Sequence, residues 1–265
     1  MSRNRFELNE RVVAVFGGGS GIGEAVARAC AEHGAHVACL DLNGAGATRV
    51  ADGIVASGGQ ASSGSVDICD AAATADALSE LRSRAGRLDA VVCTPSINVR
   101  KPLLAYTEEE FDRVVRVNLK GNFNVLQAAG RVLTAERRGS IVLFSSIRSQ
   151  VVEPGQGIYA ATKAGILQMV RAAAAEFGPK GVRVNAVGPG VVETPLTAPI
   201  KNNPEWYDAY ASKNVLNRWA SADEMAGPTV FLLSDAASYV TGTLLVVDGG
   251  WLAADGRFTP PGMAD

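Results

Sequence analysis

Short apolar runs alternate with helical stretches along almost the whole chain, and few folds accommodate that alternation. Residues 12–16, 37–40, 61–66, 90–93, 140–144, 182–187 and 244–247 read as strands. Most are short, apolar at consecutive positions and bounded by turn residues, as strands covered on both faces are. Helical patterns fill the gaps at about 21–33, 44–57, 70–85, 107–137, 159–177 and 222–234. Strands interleaved with helices pair in parallel through crossovers, which predicts an α/β doubly wound parallel sheet with helices on both faces. The expected strand order is 3-2-1-4-5-6-7. With 265 residues and no repeat, low-complexity linker or domain break, a single domain is expected over 1–265.

The totals exclude several classes of partner. Hydrophobic residues make up 47% and charged residues 20%, a globular balance, and the net charge of −2 offers no field for nucleic acid or an anionic membrane. No stretch has the apolar length of a membrane span, and Met1-Ser2-Arg3-Asn4-Arg5 lacks the apolar run of a signal peptide. The four cysteines (Cys30, Cys39, Cys69, Cys93) are scattered without metal spacing, so reduced thiols and a cytoplasmic location are expected. His33 and His36 flank the second strand, away from every other candidate, and no metal site is predicted.

The first strand runs into Gly17-Gly18-Gly19-Ser20-Gly21-Ile22-Gly23 and then a helix. A glycine turn between strand and helix lets backbone amides at the helix start cradle a pyrophosphate. The second strand ends on Asp41, 18 residues past Gly23, near the spacing at which an acid bonds an adenosine ribose hydroxyl. A 2′-phosphate there meets a like charge, so NAD is favoured over NADP.

Tyr159 and Lys163 stand four apart, one turn on one face of a helix. A phenol titrates near about 10 and is a poor base at neutral pH. A neighbouring ammonium favours the phenolate and brings that value down. Ser146, thirteen residues upstream, adds a hydroxyl able to hold a carbonyl oxygen while the tyrosine moves the proton.

In order and spacing, Gly17-x3-Gly21-Ile22-Gly23, Asp41, Asp67, Asn118-Leu119-Lys120-Gly121, Ser145-Ser146, Tyr159-x3-Lys163, Asn185-x3-Pro189-Gly190 and Asp248-Gly249-Gly250 resemble the short-chain dehydrogenase/reductase family over about residues 8–252. The resemblance implies a Rossmann fold, an NAD-dependent oxidoreductase and a homotetramer. It makes Tyr159 the general acid/base and Lys163 the holder of ribose hydroxyls that lowers the tyrosine pKa. Ser146 bonds the substrate oxygen, and Asn118 anchors a water in a proton relay. Gly17, Ser20, Gly21, Ile22, Gly23, Asp41, Leu42, Asp67, Ile68, Cys93, Thr94 and Pro95 line the cofactor. Val192 and Thr194, just past Pro189-Gly190, hold the nicotinamide carboxamide. Ser145 is a structural neighbour of Ser146, and Asp248-Gly249-Gly250 makes a turn.

Two departures stand out. Phe16 occupies the place of the threonine that usually opens the first motif, and Cys93-Thr94-Pro95-Ser96 replaces an Asn-Asn-Ala-Gly segment. Those elements are neighbours in such folds, so one local repacking accounts for both. For the substrate, Arg148, Arg100 and Lys101 offer cations for a carboxylate or phosphate, with pairing to Glu153 or Glu193 as the plainer role. Gln150, Gln156, Asn98 and Trp206 suit the hydroxyls of a sugar or polyol. The segment 194–218, with three prolines and three aromatics, reads as a lid or as an excursion whose aromatics pack locally. The tail at about 253–265 reads as extended or as a contact in an oligomer. The expected activity is reversible oxidation of a secondary alcohol, on a small, oxygen-rich and anionic sugar or hydroxy acid, to its ketone or lactone. An NADPH-dependent carbonyl reductase and a non-catalytic nucleotide-binding regulator are the alternatives.

Overall fold

The central strand β1 (Val12–Phe16) is buried at all five positions and pairs in parallel with β2 (His36–Asp41) and β4 (Ala90–Cys93). The computed structural model describes residues 4–254. With β3 (Gln60–Ser65), β5 (Gly139–Phe144), β6 (Val182–Pro189) and β7 (Leu244–Val247), these strands form one seven-stranded sheet ordered β3-β2-β1-β4-β5-β6-β7. Every pairing is parallel. The order reverses between β1 and β4. The crevice beyond the strand ends at such a switch point is where this architecture binds ligands.

Period-two alternation sends the side chains of β1 to opposite faces. Val12, Ala14 and Phe16 pack with Leu78, Val125, Leu133, Ile166 and Val170, from α3 (Ala71–Ala85), α5 (Asn122–Glu136) and α6 (Gly157–Phe177). Val13 and Val15 pack with Val26, Val50, Ile54, Val230 and Leu233, from α1 (Gly21–Glu32), α2 (Gly44–Ala56) and α9 (Ala226–Leu233). A Rossmann-type sheet with helices on both faces is therefore what the alternation produces. No described helix is long and apolar enough to cross a membrane.

Three elements differ from their sequence reading. Strand β3 is polar and largely unburied, because it is the edge strand and no neighbour pairs its outer side. The helix expected over 107–137 is broken into α4 (Glu108–Val115), a π-helical turn at Arg116–Gly121, and α5. The segment 194–218 is mostly helical, with α7 (Ala198–Lys201) and α8 (Pro204–Ala211) each started by a proline that suits a first helical turn. The tail from Asp255 lies outside the described residues.

Candidate active site

The chain leaves β1 through Gly17, whose φ of +81° lies in the left-handed region. A Cβ there would stand 2.3 Å from Thr94 Oγ1, and one on Gly23 would stand 1.9 Å from the Gly17 carbonyl oxygen. Only glycine fits either position. Ser20 starts α1 with an extended backbone and makes no side-chain cap bond, so the first amides of α1 are left to another acceptor. The turn opens into a cleft of about 420 Å³. Asp41 is held there by the glycine turn and by its own loop, Oδ2 accepting from Gly19 N at 3.0 Å and Oδ1 from Asn43 N at 2.9 Å. The glycines, unspent amides and anchored carboxylate fit the adenosine and pyrophosphate part of a nicotinamide dinucleotide in chemistry.

Gly17, Ser20, Gly21, Ile22 and Gly23 line this cleft with Asp41, Leu42, Asp67, Ile68, Thr94, Pro95 and Thr194. Cys93 does not. Its side chain is fully buried in the core beside Phe16, where burial pushes the thiol up to about 12. Val192 is also buried, bridged to Ala220, and Pro189-Gly190 ends β6 against Asp248. Thr194 packs with Pro195 over Gly21. Phe16 and Cys93 are register partners, and Thr94 donates to the Phe16 carbonyl from both its amide (3.0 Å) and its hydroxyl (3.1 Å). The two departures from the family pattern thus form one contact.

Asn118 sits in the π-helical turn and is fully buried. Its Oδ1 accepts from Ile97 N at 2.8 Å, and its Nδ2 donates to Ile97 O at 2.9 Å and to Thr162 Oγ1 at 3.2 Å. This amide clamps the segment after β4 to α6. The extra residue of the π turn redirects that side chain inward, which no 3.6-residue pattern encodes.

Ser146 ends the loop after β5, buried, with its Oγ accepting from Arg148 N at 3.1 Å. Ser145 Oγ donates to Lys163 O at 2.8 Å, tying β5 to α6 as a structural neighbour should. Tyr159 is half-buried, and burial of the phenol holds its pKa above the usual 10. Hydrogen bonding by Ser146 and the charges of Arg100 and Arg148 oppose that rise. Lys163 is almost fully buried; its Nζ donates to Phe144 O at 2.8 Å and lies 5.4 Å from the Tyr159 ring centroid. Burial brings the ammonium down to about 8. The lysine thus lies over the ring face, and the two arginines act on the same phenol from the rim.

Those arginines are not free. Glu153 takes Arg148 Nη2 at 2.5 Å and Arg100 Nη1 at 3.2 Å, and accepts from Gln156 Nε2 and the Tyr210 hydroxyl. Arg148 is 6% exposed and its guanidinium lies 5.3 Å from the Trp251 ring; Arg100 lies 5.3 Å from the Trp206 ring. Lys101 is drawn to Glu110 at 2.7 Å, and Gln150 is exposed. Gln156, buried, accepts from Asn98 Nδ2 at 3.1 Å. Tyr207 stacks on Trp219 at 4.9 Å, and Tyr210 packs between Trp219 and Trp251. The aromatics of 194–218 thus pack on one another, and through Tyr210 and Trp206 they also meet Glu153 and Arg100. Glu153 and Tyr210 are the residues that sequence reasoning undervalued; the only signal was the Glu153 charge near two arginines.

This geometry has known counterparts. Residues 17–252 match a family model described as enoyl-(acyl carrier protein) reductase. A D-threitol dehydrogenase of Mycolicibacterium smegmatis is 35% identical over 246 residues, covering 93% of this chain and 94% of that one. A 3-oxoacyl-[acyl-carrier-protein] reductase of Thermotoga maritima is 34% identical, covering 92% of this chain and 98% of that one. A crystal structure of a gluconate 5-dehydrogenase from Burkholderia cenocepacia, in complex with NADP and tartrate, superposes with a TM-score of 0.91 at 33% identity, covering 94% of this chain and 98% of that one. With the strand order, the glycine cleft and the Ser146–Tyr159–Lys163 cluster, these matches decide the assignment: the chain belongs to the short-chain dehydrogenase/reductase family of nicotinamide-dependent oxidoreductases.

Proposed function

We propose that the protein oxidises a secondary alcohol of a small polyol or sugar reversibly, with NAD. The observation that carries this reading is the grouping of Ser146 and Lys163 about the Tyr159 phenol, the lysine 5.4 Å from its ring, in a chain that also carries the glycine cleft. The amides of α1 would hold the pyrophosphate, Asp41 the adenosine ribose, and Lys163 the second ribose, with Val192 and Thr194 at the carboxamide. Bound NAD supplies the hydride acceptor. Tyr159 takes the hydroxyl proton, and Ser146 donates a hydrogen bond to the substrate oxygen. The half-buried phenol and the buried serine and lysine keep water from competing for that proton.

Sharing of both arginines by one carboxylate favours a hydroxyl-rich neutral substrate over an anion. Asn98 Oδ1, buried and without a hydrogen-bond partner among the described residues, is an acceptor that a substrate hydroxyl would satisfy. The segment 194–218 acts as a lid whose aromatic face closes on the substrate. A homotetramer joins through the exposed apolar residues Leu103, Leu104, Phe111 and Phe123. Light scattering near four times 27.5 kDa is the expected reading.

Calorimetry with NAD and NADP tests the cofactor. Two like unit charges 4 Å apart at an effective dielectric of 20 repel by about 4 kcal/mol. Asp41 is half-exposed, so about half of that, or roughly a 30-fold preference for NAD, is expected. Asp41→Ser should erase it. Equal binding of both nucleotides by the unaltered chain would remove NAD specificity from the reading. A panel of tetritols, hexitols, aldoses and aldonates then tests the substrate, with neutral polyols expected to turn over best.

A further inference from the structure

Ser96 carries a group that the reaction described above does not use. Its hydroxyl is buried, has no hydrogen-bond partner among the described residues, and lines the same cleft as Asp41 and Thr194. Its place is fixed from both sides. Two residues upstream, Thr94 is bonded twice to Phe16 O; one residue downstream, the Asn118 amide holds both the N–H and the C=O of Ile97. The same Asn118 Nδ2 donates to Thr162 Oγ1, which donates in turn to Tyr159 O at 2.7 Å. Ser96 is therefore held, with a buried and unpartnered hydroxyl, beside a clamp that ends on the backbone of the tyrosine, and it favours the ionised form of the phenol.

A count of donors gives this contact a purpose. Ser146 has one O–H, and its oxygen already accepts from Arg148 N at 3.1 Å. One proton cannot serve the substrate oxygen and the Tyr159 oxygen together. We propose that Ser96 is a positioning residue that donates a hydrogen bond to the Tyr159 oxygen as it ionises, leaving the Ser146 proton for the substrate. This rests on Tyr159 being the base of the reaction proposed above. The other groups facing the phenol are Arg100 and Arg148 across the rim, Glu153 that pairs with both, and Lys163 one turn along α6 with Cys93 beneath it. A substitution at Ser96 leaves all five in place.

The test compares the unaltered protein with Ser96→Ala, Ser96→Gly and Ser96→Thr. A hydrogen bond to an anion is worth about one pKa unit or more. The apparent pKa governing kcat/KM for alcohol oxidation should therefore rise by about one unit in Ser96→Ala and Ser96→Gly and return in Ser96→Thr. Below that pKa the alanine variant should be about tenfold slower. A rate reduced equally at every pH, or a profile that superposes on the unaltered one, would overturn the proposal. Tyrosine labelled with ¹³C at Cζ, with Tyr159 assigned through Tyr159→Phe, gives the same titration without turnover. Should no alcohol on the panel react, the dehydrogenase reading fails. The difference in the NMR titration of Tyr159 between the unaltered protein and Ser96→Ala still decides the hydrogen bond.

Discussion

Tyr159→Phe lowers kcat for alcohol oxidation by about 10²- to 10⁴-fold, the range lost when a positioned proton acceptor is removed. The phenyl ring keeps the volume at the start of α6, and no hydrogen bond that holds the fold runs through the phenol oxygen. The backbone carbonyl that accepts from Thr162 is unchanged. Nucleotide affinity by calorimetry should therefore stay within a few-fold, and the melting temperature should hardly move. In the unaltered protein, burial keeps the phenol protonated at neutral pH, so oxidation should quicken as pH rises, and reduction should be nearly flat near neutrality and fall only as pH rises through the phenol's raised pKa. A pH-independent oxidation rate, or a phenylalanine variant with more than about a tenth of the activity, would remove Tyr159 from the proton step. Retained nucleotide binding without any turnover in the unaltered chain would instead point to a regulatory binding protein.

Glu153→Ala is expected to be the most destabilising change at the rim. The Glu153 carboxylate is 15% exposed and Arg148 is 6% exposed, so the pair is largely buried and hydrogen-bonded. Deleting one partner of such a pair costs about 3 kcal/mol or more, because the remaining charge stays desolvated. Arg148 would keep only the Trp251 face at 5.3 Å, and Tyr210 and Gln156 would lose an acceptor. At about 2–4 °C per kcal/mol for a chain near this size, thermal unfolding should begin about 6–12 °C lower. A fall of less than about 2 °C would mean that the arginines find water or another acceptor. The same variant frees two guanidinium groups at the substrate mouth. KM for an aldonate should drop relative to that for a polyol, the reverse of the unaltered preference.

The fold was largely legible in the chain. Seven strands fall within two residues of their expected positions, since a strand such as Val12–Phe16 between two helical layers must be apolar on both faces, a local signature. The glycine turn is equally local: Gly17 and Gly23 have no room for a Cβ whatever surrounds them at longer range. The polar edge strand β3 was found by its place in the rhythm, not by its composition.

What the sequence by itself determined, then, is the strand order, the cleft with Asp41, and the identity of Ser146, Tyr159 and Lys163 as members of one helix-and-loop cluster. Only the tertiary structure decided how their charges are shared. Residues far apart in the chain meet at the rim, so Glu153 could claim Arg100 and Arg148 and join Tyr210 from the segment 194–218. The π turn aims Asn118 at Ile97 because one extra residue rotates the helix face, and no spacing rule reports that. Burial raises the pKa of Tyr159 while Ser146 and those distant arginines oppose the rise, since desolvation and charge act through space and not along the chain.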